Sequence, residues 1–179
     1  MRKPWWLGAA VLLAACAQQT AERPAPVQDV SHLQEPGCYT VDLFDEVPIR
    51  KPGPEVPAAH AAFLGEWGNG VWNGKWCHDL LIHTVRADGM VEMLDMHAPT
   101  ESFGGQPASI FKRRGRITED GVLRFAHGIV TRRYELRDGK LHGQAEGGDF
   151  GRAEIVLTKK GVVPLPTPRP VRIAQAPID

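Results

Sequence analysis

The chain predicts an all-β domain, a small antiparallel meander of about eight short strands, and three observations carry that reading. Three Asp-Gly dipeptides, Asp88-Gly89, Asp120-Gly121 and Asp138-Gly139, fall between runs of alternating apolar and polar residues. Asp-Gly accepts the positive φ angles of tight hairpin turns, so each is a hairpin signal. The runs are short and evenly spaced, near 75–85, 90–97, 108–118, 121–127, 129–137, 140–146 and 152–159, with a first strand opening at Leu64–Trp67. No stretch between Gly65 and Lys159 shows the periodicity of an amphipathic helix. Such strands remove exposed edges by closing into a barrel, with a two-sheet sandwich as the alternative.

In chain order, residues 1–15 read as an export signal. MRKPWWLGAAVLLAAC has two positive charges, an apolar run from Trp5 to Leu13 and then small residues, and the run is too short to span a bilayer. Leu13-Ala14-Ala15-Cys16 resembles the lipobox of bacterial lipoproteins at every position. The resemblance implies cleavage before Cys16 and lipid on that cysteine, and several acyl chains anchor a protein stably. Ala17 and Gln18 stand where an aspartate would retain a lipoprotein in the inner membrane. By that family rule, the expected location is the outer membrane, facing the periplasm.

Residues 16–36 are polar, rich in Pro and Ala, and too poor in large apolar groups to offset the entropy of ordering, so they read as a tether. Residues 37–63 form a lead-in. Cys38 to Phe44 alternates like an edge strand, whereas Pro52, Pro54 and Pro57 forbid a central one, and Ala58–Phe63 suits one helical turn. An exported chain meets an oxidising compartment, so Cys38 and Cys77 are expected to pair.

The β-domain spans 64–160 and opens on Leu64–Val85, which holds Trp67, Trp72 and Trp76 among four glycines. With a side-chain period of 2, Trp76, His78, Leu80 and Ile82 share one face. Val130, Arg132, Tyr134 and Leu136 share another, and Ala153, Ile155 and Leu157 point inward from the last strand. Gly65-Glu66-Trp67 at the mouth of such a meander resembles the opening of lipocalin-like and avidin-like barrels. The resemblance implies a tryptophan packed across one barrel end and a small ligand held inside. Residues 161–179 follow as an exposed tail, with Pro164, Pro166, Pro168 and Pro170 favouring extended polyproline structure.

Chemistry is sparser. Lys+Arg and Asp+Glu number 21 each, and loss of Arg2 and Lys3 with the signal leaves 19 against 21, so no basic surplus points to nucleic acid. His78 and His83 face opposite ways, and His97, His127 and His142 stand singly, so motif predicts neither metal nor cofactor. Cys77 and His78 project to opposite faces, and Ser102 and Ser109 lack a nucleophile motif, so no catalytic residue is assigned. Trp67, Trp72 and Trp76 either fill the core or, with Asn69 and Asn73, present a platform for a glycan or small apolar ligand. Lys112, Arg114 and Arg116 share a face that suits an anionic envelope surface. The expected role is non-catalytic binding of a small ligand or envelope component. An assembly factor docking on envelope proteins, or a periplasmic hydrolase with an unassigned site, are the alternatives.

Overall fold

The computed structural model describes residues 29–38, 40–41, 43, 47–99, 107–148 and 151–161. Residues 1–28, with Cys16 and most of the stretch expected as signal and tether, and residues 162–179, expected as an exposed tail, lie outside the described residues. Eight antiparallel strands form a closed barrel in chain order. They are β1 (Gly65–Trp72), β2 (Trp76–Val85), β3 (Met90–His97), β4 (Ser109–Ile117), β5 (Val122–His127), β6 (Val130–Arg137), β7 (Lys140–Glu146) and β8 (Arg152–Lys159). The ladder closes where Trp67 and Gly68 of β1 pair with Lys159 and Thr158 of β8. The sandwich alternative is excluded.

All three Asp-Gly turns lie on one rim, because they join β2 to β3, β4 to β5 and β6 to β7. At the last of them both residues take positive φ, 51° at Asp138 and 71° at Gly139, as a twisted two-residue hairpin requires. That rim is closed. The short helix α1 (Ala58–Ala61) and the residues beside it bring Val56, Phe63 and Leu64 into the core, and Trp67 Nε1 donates 2.8 Å to the Phe63 carbonyl. Trp67 is 1% exposed. The Gly-x-Trp tryptophan therefore plugs the closed end. Above it the interior is apolar, built from Leu80, Ile82, Val91, Met93, Leu123, Leu141, Ile155 and Leu157. Gly70 is part of this packing: a Cβ there would sit 2.3 Å from Leu157 Cδ2 and 2.8 Å from Ile155 Cγ1.

The residues that alternation groups on one face of β6, and those read as inward on β8, are the buried ones, whereas β2 is buried on both faces. Cys38 and Cys77 are disulfide-bonded, with Cα atoms 5.7 Å apart. The stretch from Cys38, expected as an edge strand, forms no strand among its described residues. A closed barrel offers little edge to extend, and the segment instead lies on the outside of β2 and β3. Val41, Leu43 and Val47 pack on Leu81, Leu94 and Met96, and Thr40 Oγ1 donates 2.8 Å to Asp79 Oδ2. Lys160 Nζ reaches the same Asp79 oxygen at 2.8 Å, so one buried carboxylate ties the strap to the chain just past β8.

Candidate functional site

The upper half of the barrel interior, toward the rim opposite the Asp-Gly turns, is polar. Strand alternation forces this: His78 on β2, Asp95 and His97 on β3, Arg113 on β4, and Arg132 and Tyr134 on β6 each fall on an inward position. They converge on the Asp95 carboxylate, whose side chain is 0% exposed. Arg132 Nη1 lies 2.7 Å and His78 Nε2 3.4 Å from Oδ1, while His97 Nε2 lies 3.2 Å and Arg113 Nε 3.3 Å from Oδ2. Tyr134 Oη is 3.2 Å from His78 Nε2.

Aromatic rings wall the cluster. The Arg132 guanidinium carbon sits 5.4 Å from the Trp72 ring and 5.8 Å from the Phe125 ring, and Arg113 lies 4.6 Å over Phe111. His78 and His97 are 4.7 Å apart, and Trp72 packs on His78 and Tyr134. The wall is parted beside the cluster. β4 and β5 pair at Arg116 with Arg124 and at Ile117 with Leu123, and above that point, among the described residues, β4 is paired with β3 and not with β5. Arg113 and His97, next to this parting, keep 23% and 24% of their side chains exposed.

Burial pushes the His78 imidazole well below its ordinary 6.5 and outweighs the attraction of Asp95. For Asp95, burial acts to raise the carboxyl, but the hydrogen bond from His97 and the field of Arg132 prevail and hold it far below the usual carboxylate range. Burial likewise raises the Tyr134 hydroxyl and lowers His127. These shifts predict how stability varies with pH. Unfolded, His78 takes a proton near pH 6.5, whereas folded it stays neutral until well below that. The unfolded state thus binds more protons in this window, and stability is lost as pH falls through it, with a slope approaching about 1.4 kcal/mol per pH unit for this one group. Asp95 adds stability that is present above its unfolded value of 3.8 and lost only in stronger acid. Urea midpoints are expected to fall from pH 7.5 to pH 5, and His78→Gln should flatten that fall. An unchanged slope in the variant would place the proton uptake elsewhere.

The tryptophans anticipated as a ligand face are separated. Trp67 is at the closed end, Trp72 is buried in the polar cluster, and Trp76 is half-buried on the inward side at the start of β2. Asn69 forms the bulge of β1 at φ 58°, donating to Thr158 Oγ1 and accepting from the Gly37 amide. Asn73 occupies the β1–β2 turn at φ 48° and bonds to the backbone of Arg152 and Glu154. Both amides hold backbone in place. Lys112, Arg114 and Arg116 are exposed on the outer wall. Arg114 pairs with Glu92 at 3.6 Å and Arg116 donates to the Asp88 carbonyl, which leaves Lys112 as the freest of the row. Lys112 and Arg114 border a groove of about 980 Å³ floored by Leu43, Val47, Leu94 and Ile110.

Sequence reasoning passed over the cluster, although part of its signal was present as His78 and Arg132 on faces that alternation shares with apolar residues. His78, Asp95 and His97 also bring three metal-ligating atoms within 4.8 Å of one another. Among the described residues no serine or cysteine is hydrogen-bonded to a cluster histidine, and Ser102 lies outside the described residues. The arrangement gathers buried imidazole, guanidinium and aromatic groups around one carboxylate. No family model, curated protein or solved structure matches the chain.

Proposed function

We propose that this protein is a lipid-anchored component of a bacterial cell envelope, facing the periplasm, whose barrel holds a small ligand at its mouth without transforming it. The lipobox-like Leu13-Ala14-Ala15-Cys16 supports the anchor, and Ala17 and Gln18 favour the outer membrane. One observation carries the binding role. Trp72 Nε1, His78 Nδ1, His127 Nε2 and Arg132 Nε are buried on the interior faces with no hydrogen-bond partner in the protein. An unpaired buried polar group costs about 1–3 kcal/mol, so several in one place mark a surface built for something else to complete. The aromatic walls and few converging polar groups are the usual make-up of a small-molecule site.

Native mass spectrometry of the mature protein, extracted from envelopes in mild detergent, tests the binding role. A small additional mass, released by acid, is the expected result. The bare chain mass from every preparation counts against the proposal. The anchor is tested separately: Cys16→Ser should move the protein from the membrane to the soluble periplasmic fraction, and persistence in the membrane would refute lipidation at that residue.

A further inference from the structure

We infer that the group held at the barrel mouth is an oxyanion, the carboxylate of a small organic acid in preference to inorganic phosphate; this rests on the reading that the mouth binds a ligand. The argument is a balance of donors, acceptors and charge. Among the described residues Asp95 is the one carboxylate in the cluster, and its two oxygens already face Arg132, His78, His97 and Arg113. Tyr134 Oη is engaged with His78. What remains without a protein partner includes Trp72 Nε1 and Arg132 Nε, and these nitrogens can only donate. Their missing partner is therefore an acceptor.

Charge leads to the same conclusion. Two guanidiniums, Arg113 and Arg132, stand against one carboxylate, so the cluster carries a surplus positive charge. A bound anion would cancel it. The histidine–aspartate set could in principle take a metal ion, since its donor atoms are close enough. But a divalent cation would add to the surplus, compete with Arg132 for Asp95 Oδ1, and leave Trp72 Nε1 and Arg132 Nε unpaired. A neutral ligand would leave the surplus charge of the cluster uncancelled.

The walls distinguish an organic acid from phosphate. Trp72 and Phe125 flank the Arg132 guanidinium, and Phe125 stacks on Tyr134 at 6.0 Å. Flat apolar faces beside the charge suit a carboxylate carrying an apolar or aromatic body. The parted β4–β5 wall, with Phe111 and Arg113 half-exposed beside it, supplies a lateral way in.

Isothermal titration calorimetry on the full mature chain in mild detergent, at pH 7.5 and fixed ionic strength, tests this with four probes: benzoate, benzamide, inorganic phosphate and zinc chloride. Benzoate is expected to bind saturably, with benzamide and phosphate each at least about tenfold weaker, the effect of losing one charge-assisted hydrogen bond. Trp72→Phe keeps a smaller ring in place and deletes the N–H, and it should weaken benzoate by about fivefold or more while the chain still unfolds cooperatively. Arg132→Lys keeps the charge and removes Nε, and it should weaken benzoate further. Equal affinity for benzamide would overturn the oxyanion assignment while leaving a ligand-binding mouth. Phosphate binding more tightly than benzoate would overturn the preference for an organic acid. Zinc binding that is lost in His97→Ala, without anion binding, would make the cluster a metal centre. Benzoate binding unaffected by both variants, or no heat from any probe, would overturn the assignment outright; the mass of the envelope-extracted protein would still report whether a ligand is carried.

Discussion

Replacing Asp95 by asparagine is expected to destabilise the barrel by about 3–5 kcal/mol, the usual cost of removing one partner from a buried ion pair. The side chain keeps its size, so the loss is electrostatic. Arg132, almost fully buried, would keep its charge with no counter-charge at 2.7 Å, and an amide nitrogen would replace an oxygen that now accepts. Urea unfolding at pH 7.5 measures the effect. Arg113→Ala should cost much less, because its side chain retains contact with water and leaves Asp95 its other partners. The combination Asp95→Asn with Arg132→Met should cost less than the sum of the two single changes, since the orphaned charge is then gone. A loss below about 1 kcal/mol for Asp95→Asn would mean that the carboxylate is not the pivot of the cluster.

How much of this was legible in the sequence follows from the range over which each feature is encoded. The strands and their turns were readable because alternation and Asp-Gly chemistry act within a few residues, and Asp138-Gly139 needs only its own two φ angles. That His78 and Arg132 share a face with apolar neighbours was readable for the same reason. That they meet was not, because Asp95 lies 37 residues from Arg132 and 18 from Arg113, and only barrel closure and register bring them together. The register depends on irregularities such as the shift between Ile82 and Thr84 on β2, which places His78 opposite His97. No short window announces such a shift.

The tryptophan stretch shows the converse. Glycines and asparagines beside aromatic rings match a carbohydrate platform in composition. Here, though, Asn69 and Asn73 adopt left-handed backbone, and their amides are consumed by neighbouring strands. Trp67 lies buried at the closed barrel end. Trp72, five residues on and across a bulge, faces the polar cluster instead. Three rings in one short run thus serve different ends of the barrel.

The second large effect concerns the strap. Cys38 and Cys77 close a loop with a sequence separation of 39 residues. On chain-entropy grounds, a crosslink of that span stabilises the folded state by about 4 kcal/mol, acting mainly by restricting the unfolded chain. The double change Cys38→Ser with Cys77→Ser, or reduction of the native protein, should lower the urea midpoint accordingly. The far-ultraviolet spectrum should persist, because the eight-strand ladder does not depend on the bond. The strap has its own attachments besides the sulfurs: Val41, Leu43 and Val47 on Leu81, Leu94 and Met96, and Thr40 on Asp79. If those contacts keep it seated, Thr40→Ala will remain destabilising in the disulfide-free background, by about 1 kcal/mol for one lost hydrogen bond. If the bond alone seats the strap, Thr40→Ala will be silent there, and the apolar outer patch will bind a hydrophobic dye on reduction. A midpoint unmoved by reduction would show instead that the bond lends the barrel no stability.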